Sequence, residues 1–270
     1  MNRKLAVLVI SFDNYRDVWR PFFDLFTRFW PDCPYRLYLG TNKEDFNYPG
    51  VTVIKSGADI SWADNVRNYL SQIEEDYVLT FLDDYFLSQP VQSEAIAIKK
   101  ALEIVLRDGI DVFSFTRPNI SNQYRDEADV YFIDPHSEYC VNTAVAIRKK
   151  QAFLSLLKPG FSAWDFEIKN SRDVNESGIF PGLFVTSGQY YFRSLKNGIW
   201  RGKWVRSSVR FCQHLGIVVD TTHRPFMSKS DVIWEFAKEN GRKILHPSLR
   251  RLVKKILVKL GFSKRFVSLD

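Results

Sequence analysis

Asp83 and Asp84 follow directly on six residues, 77–82, that read Tyr-Val-Leu-Thr-Phe-Leu. That run has the length and composition of a buried strand, and in open α/β sheets ligands gather beyond the carboxyl ends of strands. Two adjacent carboxylates delivered there repel each other and lose hydration, so protons or a cation must offset them. A hard divalent ion, Mg2+ or Mn2+, shared with substrate phosphates meets that need. The plain alternative is a helix cap or a solvent-facing turn.

Upstream, Ser61-Trp62-Ala63-Asp64-Asn65-Val66-Arg67 opens a helix capped by Ser61, with Asp64 as the capping-box acid. Glu75-Asp76 then leads into the strand, the Asp pair and Tyr85-Phe86-Leu87. This arrangement resembles GT-A glycosyltransferases, especially family-2-like enzymes of bacterial polysaccharide gene clusters. The likeness runs through residues 4–220 in order of elements and is sharp over 61–87. It implies an α/β fold of the GT-A, Rossmann-like kind: a mixed central sheet flanked by helices. It also implies a nucleotide-diphosphate-sugar donor and a DxD-type motif at Asp83 and Asp84. Asp83-Asp84-Tyr85 departs from a strict Asp-x-Asp, so either Asp84 alone coordinates or metal binding is loose.

The same resemblance implies donor contacts from Asp13, Trp62, Asn65, Arg67 and Asp83. On residue type alone, Asp13-Asn14 is equally a turn, and Arg67 equally an exposed helix charge. In Ser162-Ala163-Trp164-Asp165-Phe166-Glu167, the resemblance implies an acid that takes a proton from the attacking acceptor hydroxyl. Two residues apart, Asp165 and Glu167 cannot share a helix face; Asp165 is placed ahead of Glu167 as the base. His214, before Gly216, is similar to the late metal-binding His of several GT-A families, although a lone His is more often structural. The run Trp200 to Arg206 either clamps phosphates, stacks a sugar or forms an aromatic-packed loop.

The elements that must position these groups alternate along the first half. Residues 5–11, 35–40, 51–55, 77–82 and 111–115 read as strands. Helical spacing marks 18–30, 61–74 and 93–107, the last closed by Gly109. Residues 116–140 suit a loop or small hairpin, 141–147 a strand, 149–157 a short helix, and 178–220 loops and short strands. The expected organisation is a domain over 1–240, with a donor half (1–115) and an acceptor half (116–240), and a tail over 241–270.

The net charge of +7 is concentrated in that tail. Residues 241–270 hold nine Lys/Arg and one acid, so residues 1–240 sum to −1. A near-neutral body argues against a nucleic-acid partner. Within 247–265, apolar Leu249, Leu252, Val253, Ile256, Leu257 and Leu260 oppose Arg250, Arg251, Lys254, Lys255 and Lys259, the pattern of a basic amphipathic helix on an anionic membrane. Docking of that stripe on the protein itself is the alternative. Three scattered cysteines, Cys33, Cys140 and Cys212, fit a reducing compartment, and residues 5–10 read as a strand rather than a signal peptide. The expected setting is cytoplasmic, at the inner face of the membrane, with a glycan or lipid-linked acceptor.

Other chemistries lack their marks. There is no GxxxxGK[ST], no GxGxxG after the first strand and no GxSxG elbow. Asp83-Asp84-Tyr85-Phe86 lacks the Thr or Val that a haloacid-dehalogenase-like phosphatase sets after its Asp-x-Asp. A non-catalytic membrane scaffold on the same fold remains the alternative from a different class.

Overall fold

The structure, a computed structural model, describes residues 4–116, 119–189, 191–195 and 197–235. Its first half runs β1 (Leu5–Ile10), α1 (Arg16–Phe29), β2 (Arg36–Thr41), β3 (Val51–Lys55), α2 (Trp62–Ser71), β4 (Tyr77–Leu82), α3 (Gln92–Asp108) and β5 (Val112–Ser114). It continues with β6 (Ile120–Gln123), β7 (Val130–Ile133), β8 (Ala146–Lys149), α4 (Lys150–Leu156), α5 (Ala163–Ser177), β9 (Phe184–Ser187), β10 (Ile199–Trp200), β11 (Lys203–Trp204) and α6 (Arg206–His214). Nine strands form one mixed sheet in the order β3-β2-β1-β4-β8-β5-β9-β7-β6. The β3-β2-β1-β4 block is parallel, β8 is antiparallel to both β4 and β5, and β10–β11 is a separate hairpin. This is a Rossmann-like α/β fold: the alternation of runs implied the α/β class, and the resemblance implied the Rossmann-like kind.

Each face of the sheet buries its own core. Along β1, Leu5, Val7 and Val9 join α1, α3 and α6 on one side; Ala6, Leu8 and Ile10 join α2, α4 and α5 on the other. Period-2 alternation of side chains therefore divides one continuous apolar run between two layers. Phe22, Phe26 and Phe81 interlock on the first side, with ring centroids 5.8 to 6.3 Å apart. Burying one such side chain stabilises the fold by roughly 1.5–3 kcal/mol, so the many phenylalanines are mostly core.

Helix ends follow their signals. Ser61 Oγ accepts the Asp64 amide at 3.1 Å at the start of α2. Gly109 closes α3 at φ 68°, a left-handed conformation that glycine adopts without steric cost. Two expectations shift. Residues 141–145 leave the ladder because Ser171 Oγ bonds both the Val141 amide and its carbonyl at 3.0 Å, so the strand begins at Ala146. Residues 206–214, expected as loop, form α6; its buried face is Ser208, Val209 and Cys212, too polar and too short to register as an apolar stripe. The basic segment 247–265 lies outside the described residues.

Candidate functional site

β1 and β4 are parallel neighbours, with Ile10 beside Leu82, so Ser11 and Asp83 leave the sheet side by side. Ser11 Oγ donates to Asp83 Oδ2 and accepts from Trp19 Nε1 at 2.6 Å. Tyr69 hydroxyl donates to the Ser11 carbonyl at 3.0 Å. Tyr69 reaches that carbonyl over Gly40, where a Cβ would come within 2.5 Å of its ring. Asp83 is thus held in a fixed orientation.

Asp83 is buried and Asp84 half-buried. Burial, reinforced by the neighbouring Asp84 charge, pushes the Asp83 carboxyl well above the usual range. Burial raises Asp84 to about 6, against the pull of its backbone hydrogen bond and of Arg224. The Asp84 carbonyl accepts the Gly198 amide at 3.2 Å, and a Cβ on Gly198 would meet that oxygen at 2.6 Å. The backbone before the β10–β11 hairpin therefore lies directly on the acidic turn.

Arg224 supplies a positive charge here. Its Nε and Nη2 grip Asp17 at 2.6 Å each, Nη2 also donates to the Asn14 carbonyl at 2.9 Å, and the guanidinium sits 4.3 Å from the Tyr15 ring centroid. Tyr15 in turn feels Asp83, Arg224 and Asp84, in that order, after burial has raised its hydroxyl. Three carboxyl groups and one guanidinium thus interact across a confined volume, where protons or a cation must offset the acids as they ionise.

The remaining expected site residues are distributed differently. Asp13 accepts the amides of Asn42, Lys43 and Glu44 at 2.8, 3.0 and 3.3 Å, so it folds the turn after β2. Trp62 packs on Phe166 at 5.2 Å. Asn65 donates to Asp59 at 2.7 Å, leaving its buried carbonyl oxygen without a partner among the described residues. Arg67 donates to the Leu154 and Leu157 carbonyls at 3.2 and 3.1 Å, closing the end of α4 rather than facing the sheet edge.

Asp165 is the acid of a capping box: it accepts the Ser162 amide at 3.1 Å and hydroxyl at 2.6 Å, and pairs with Lys169 at 2.9 Å. Ser162, first of these causes, holds its carboxyl down to about 2, which disfavours proton acceptance at neutral pH. Glu167 Oε1 accepts the Thr143 amide at 2.8 Å and hydroxyl at 2.7 Å. Because Ala146 pairs with Thr80, Thr143 and Glu167 lie at the edge where β4 delivers Asp83.

His214 is not brought to the acidic pair. It ends α6, about 12 Å along that helix from Arg206, where the next carbonyl, of Leu215, accepts Arg28 Nη1 at 3.2 Å. Arg28 lies in the last turn of α1, whereas Tyr15 and Asp17 lie at its start. Among the described residues no group of three or more His, Cys, Asp or Glu is arranged to hold a metal. Asp83 and Asp84 fit a cation shared with phosphates, not a cage built from protein alone.

Arg224, Asp17 and Tyr15 escape sequence reasoning. Asp17 carries one faint signal, a charge on the apolar face of α1; Arg224 lies in a polar loop and carries none.

No protein-family model matches the chain, and no curated protein matches it. Among solved structures, a cytidylyltransferase from Leptospira borgpetersenii serovar Hardjo-bovis is 12% identical, covers 88% of this chain and 95% of its own, and gives a TM-score of 0.47. S. aureus TarS in complex with UDP-GlcNAc is 12% identical over 82% of this chain and 69% of that one, at 0.46. A UDP-glucose pyrophosphorylase complexed with UDP-glucose is 9% identical over 70% and 91%, at 0.42. The chain spans 52% of the bifunctional IspDF from Campylobacter jejuni and 36% of S. aureus TarS.

Proposed function

We propose that the protein is a glycosyltransferase that binds a nucleotide-diphosphate-sugar at the carboxyl edge of β1 and β4 and passes the sugar to a glycan or lipid-linked acceptor. The observation that carries this reading is the Asp83-Asp84 pair at the strand exit, Asp83 buried and Asp84 half-buried, both with raised proton affinities, near the Arg224 that grips Asp17. Mn2+ or Mg2+ held by Asp83 and Asp84 would supply positive charge to the diphosphate leaving group. Asn65, whose side-chain oxygen has no partner among the described residues, and Trp62 would belong to the donor side; Asp13 shapes the turn after β2 beside it, and Arg67 acts only at the end of α4.

Of the two acids on α5, this reading assigns the proton acceptor to Glu167, because Asp165 is committed to its helix cap. In the step, the acceptor oxygen bonds to the anomeric carbon as the bond from that carbon to the phosphate oxygen breaks. The hydroxyl proton passes to Glu167 and the nucleoside diphosphate departs, with inversion. Replacing Glu167 with Gln is expected to lower transfer by about 10²–10⁴-fold with donor binding retained; Asp165→Asn is expected to cost only about 1 kcal/mol of stability. The converse outcome, measured as sugar transferred from a radiolabelled donor panel, would return the base to Asp165. Nucleotide-sugar formation from a sugar phosphate and a nucleoside triphosphate would instead indicate a nucleotidyltransferase.

We also place the enzyme on the cytoplasmic face of the membrane in bacterial surface polysaccharide synthesis, through the basic segment 247–265. A chain ending at residue 246 is expected to lose sedimentation with anionic vesicles; unchanged binding would remove that part of the reading.

A further inference from the structure

Arg148 is 4% exposed and sits in β8 between Val78 of β4 and Val112 of β5, in the middle of the sheet. A guanidinium there loses its hydration, which is costly unless a carboxylate and hydrogen bonds offset it. Among the described residues, none of the groups it donates to is a carboxylate. Nη1 donates to Thr80 Oγ1, Nη2 donates to the Asn142 and Ala144 carbonyls at 2.7 and 3.0 Å, and the group lies 5.2 Å from the Phe153 ring centroid. Burial pulls its proton affinity down to about 10, and the acid that acts in the opposite sense is Glu167.

The two groups are joined by one peptide unit. The Asn142 carbonyl accepts from Arg148, and the amide of that same peptide, the Thr143 N–H, donates to Glu167 Oε1 at 2.8 Å. In a trans peptide the C=O and N–H point in opposite directions, so the unit is polarised by a cation at one end and an anion at the other. The second bond of Nη2, to Ala144, fixes the far side of Thr143 and thereby the hydroxyl that also reaches Glu167.

We propose that Arg148 is a positioning residue, which through the Asn142–Thr143 peptide holds the Glu167 carboxylate in place. The importance of this for catalysis rests on Glu167 being the proton acceptor; the physical link does not. Charged groups on the neighbouring elements have partners of their own, among them Lys158 and Asp173, which pair at 2.9 Å. On α5, Asp165 and Lys169 pair with each other; on α2, Asp64 is held by Ser61 and the Gly160 amide, and Arg67 by the α4 carbonyls. In the preceding loop, Asp134 accepts the His136 amide.

The test follows the Glu167 carboxyl carbon by NMR in 13C-glutamate-labelled protein across pH 3–9, assigned by its loss in Glu167→Gln. In Arg148→Met the Glu167 midpoint is expected to rise by about half a pH unit or more. Arg148→Lys keeps the charge without the flat fork, so a smaller rise in the same direction is expected. A folded Arg148→Met protein with an unmoved midpoint would overturn the proposal; should that variant not fold, an unmoved midpoint in Arg148→Lys would do the same. Because the readout is a titration, it decides this point even if no sugar is transferred. Where transfer is measurable, kcat is expected to fall about tenfold with the donor KM within twofold.

Discussion

Replacing Asp84 by Asn is expected to abolish sugar transfer and to make the ligand-free protein more stable at pH 8. Burial lifts the folded-state carboxyl to about 6, from 3.8 in the unfolded chain. A group that holds its proton more tightly when folded contributes stability that is fully present below the unfolded value and is lost as pH rises through about 6. Asp83 acts in the same direction. The gap between the two Asp84 values sets an upper bound of about 3 kcal/mol on its contribution, and the partial exposure of the side chain brings the effect below that bound. Acids held low, such as Asp165 and Asp231 at about 2, act below that window. Urea unfolding at pH 5 and pH 8 is therefore expected to show wild-type stability falling between the two, and the Asp84→Asn protein falling less. A variant less stable than wild type at pH 8 would mean that Asp84 is well accommodated as an anion, against a cation-seeking site.

The Asp17–Arg224 pair is expected to give the largest stability effect. Both bonds are 2.6 Å, and the two side chains are 1% and 7% exposed. Arg224→Met leaves a buried carboxylate uncompensated, which costs about 3–5 kcal/mol. It also removes positive charge from beside Asp84 and unties the segment carrying Arg224 from the start of α1. The double variant Asp17→Asn/Arg224→Met is expected to recover at least half of the loss, because no charge is then stranded. Strictly additive losses in a denaturation cycle would show that the two residues are not coupled.

These two sites illustrate what the sequence makes legible. The acidic pair stands out because an apolar run of strand length ends abruptly in charge, a local pattern. The start of α2 is legible for the same reason, since a Ser and an acid three residues apart form a cap whatever surrounds them. The same spacing recurs at Ser162 and Asp165, and the cap rule applied there identifies Asp165 as structural; its candidacy as a base came from the resemblance, which carries no information about hydrogen-bond partners. Arg67 likewise has a helical address but a tertiary destination, the carbonyls of α4. Arg224 lies 207 residues from Asp17 and His214 lies at the wrong end of α6; both facts depend on how helices cross the sheet, which no local spacing encodes.

The central claim is that the Asp83-Asp84 turn receives a nucleotide-diphosphate-sugar. Thermal unfolding of wild-type and Asp84→Asn protein, with UDP-, GDP-, CDP- and dTDP-sugars and with or without Mn2+, tests it most directly. At a hundredfold excess over Kd, a bound donor is worth about 2.7 kcal/mol, or about 5–10 °C in Tm. The account predicts such a rise with at least one donor, larger when Mn2+ is present and lost in Asp84→Asn. A rise of equal size in both proteins would put the donor elsewhere, and no rise with any nucleotide-sugar would contradict the account.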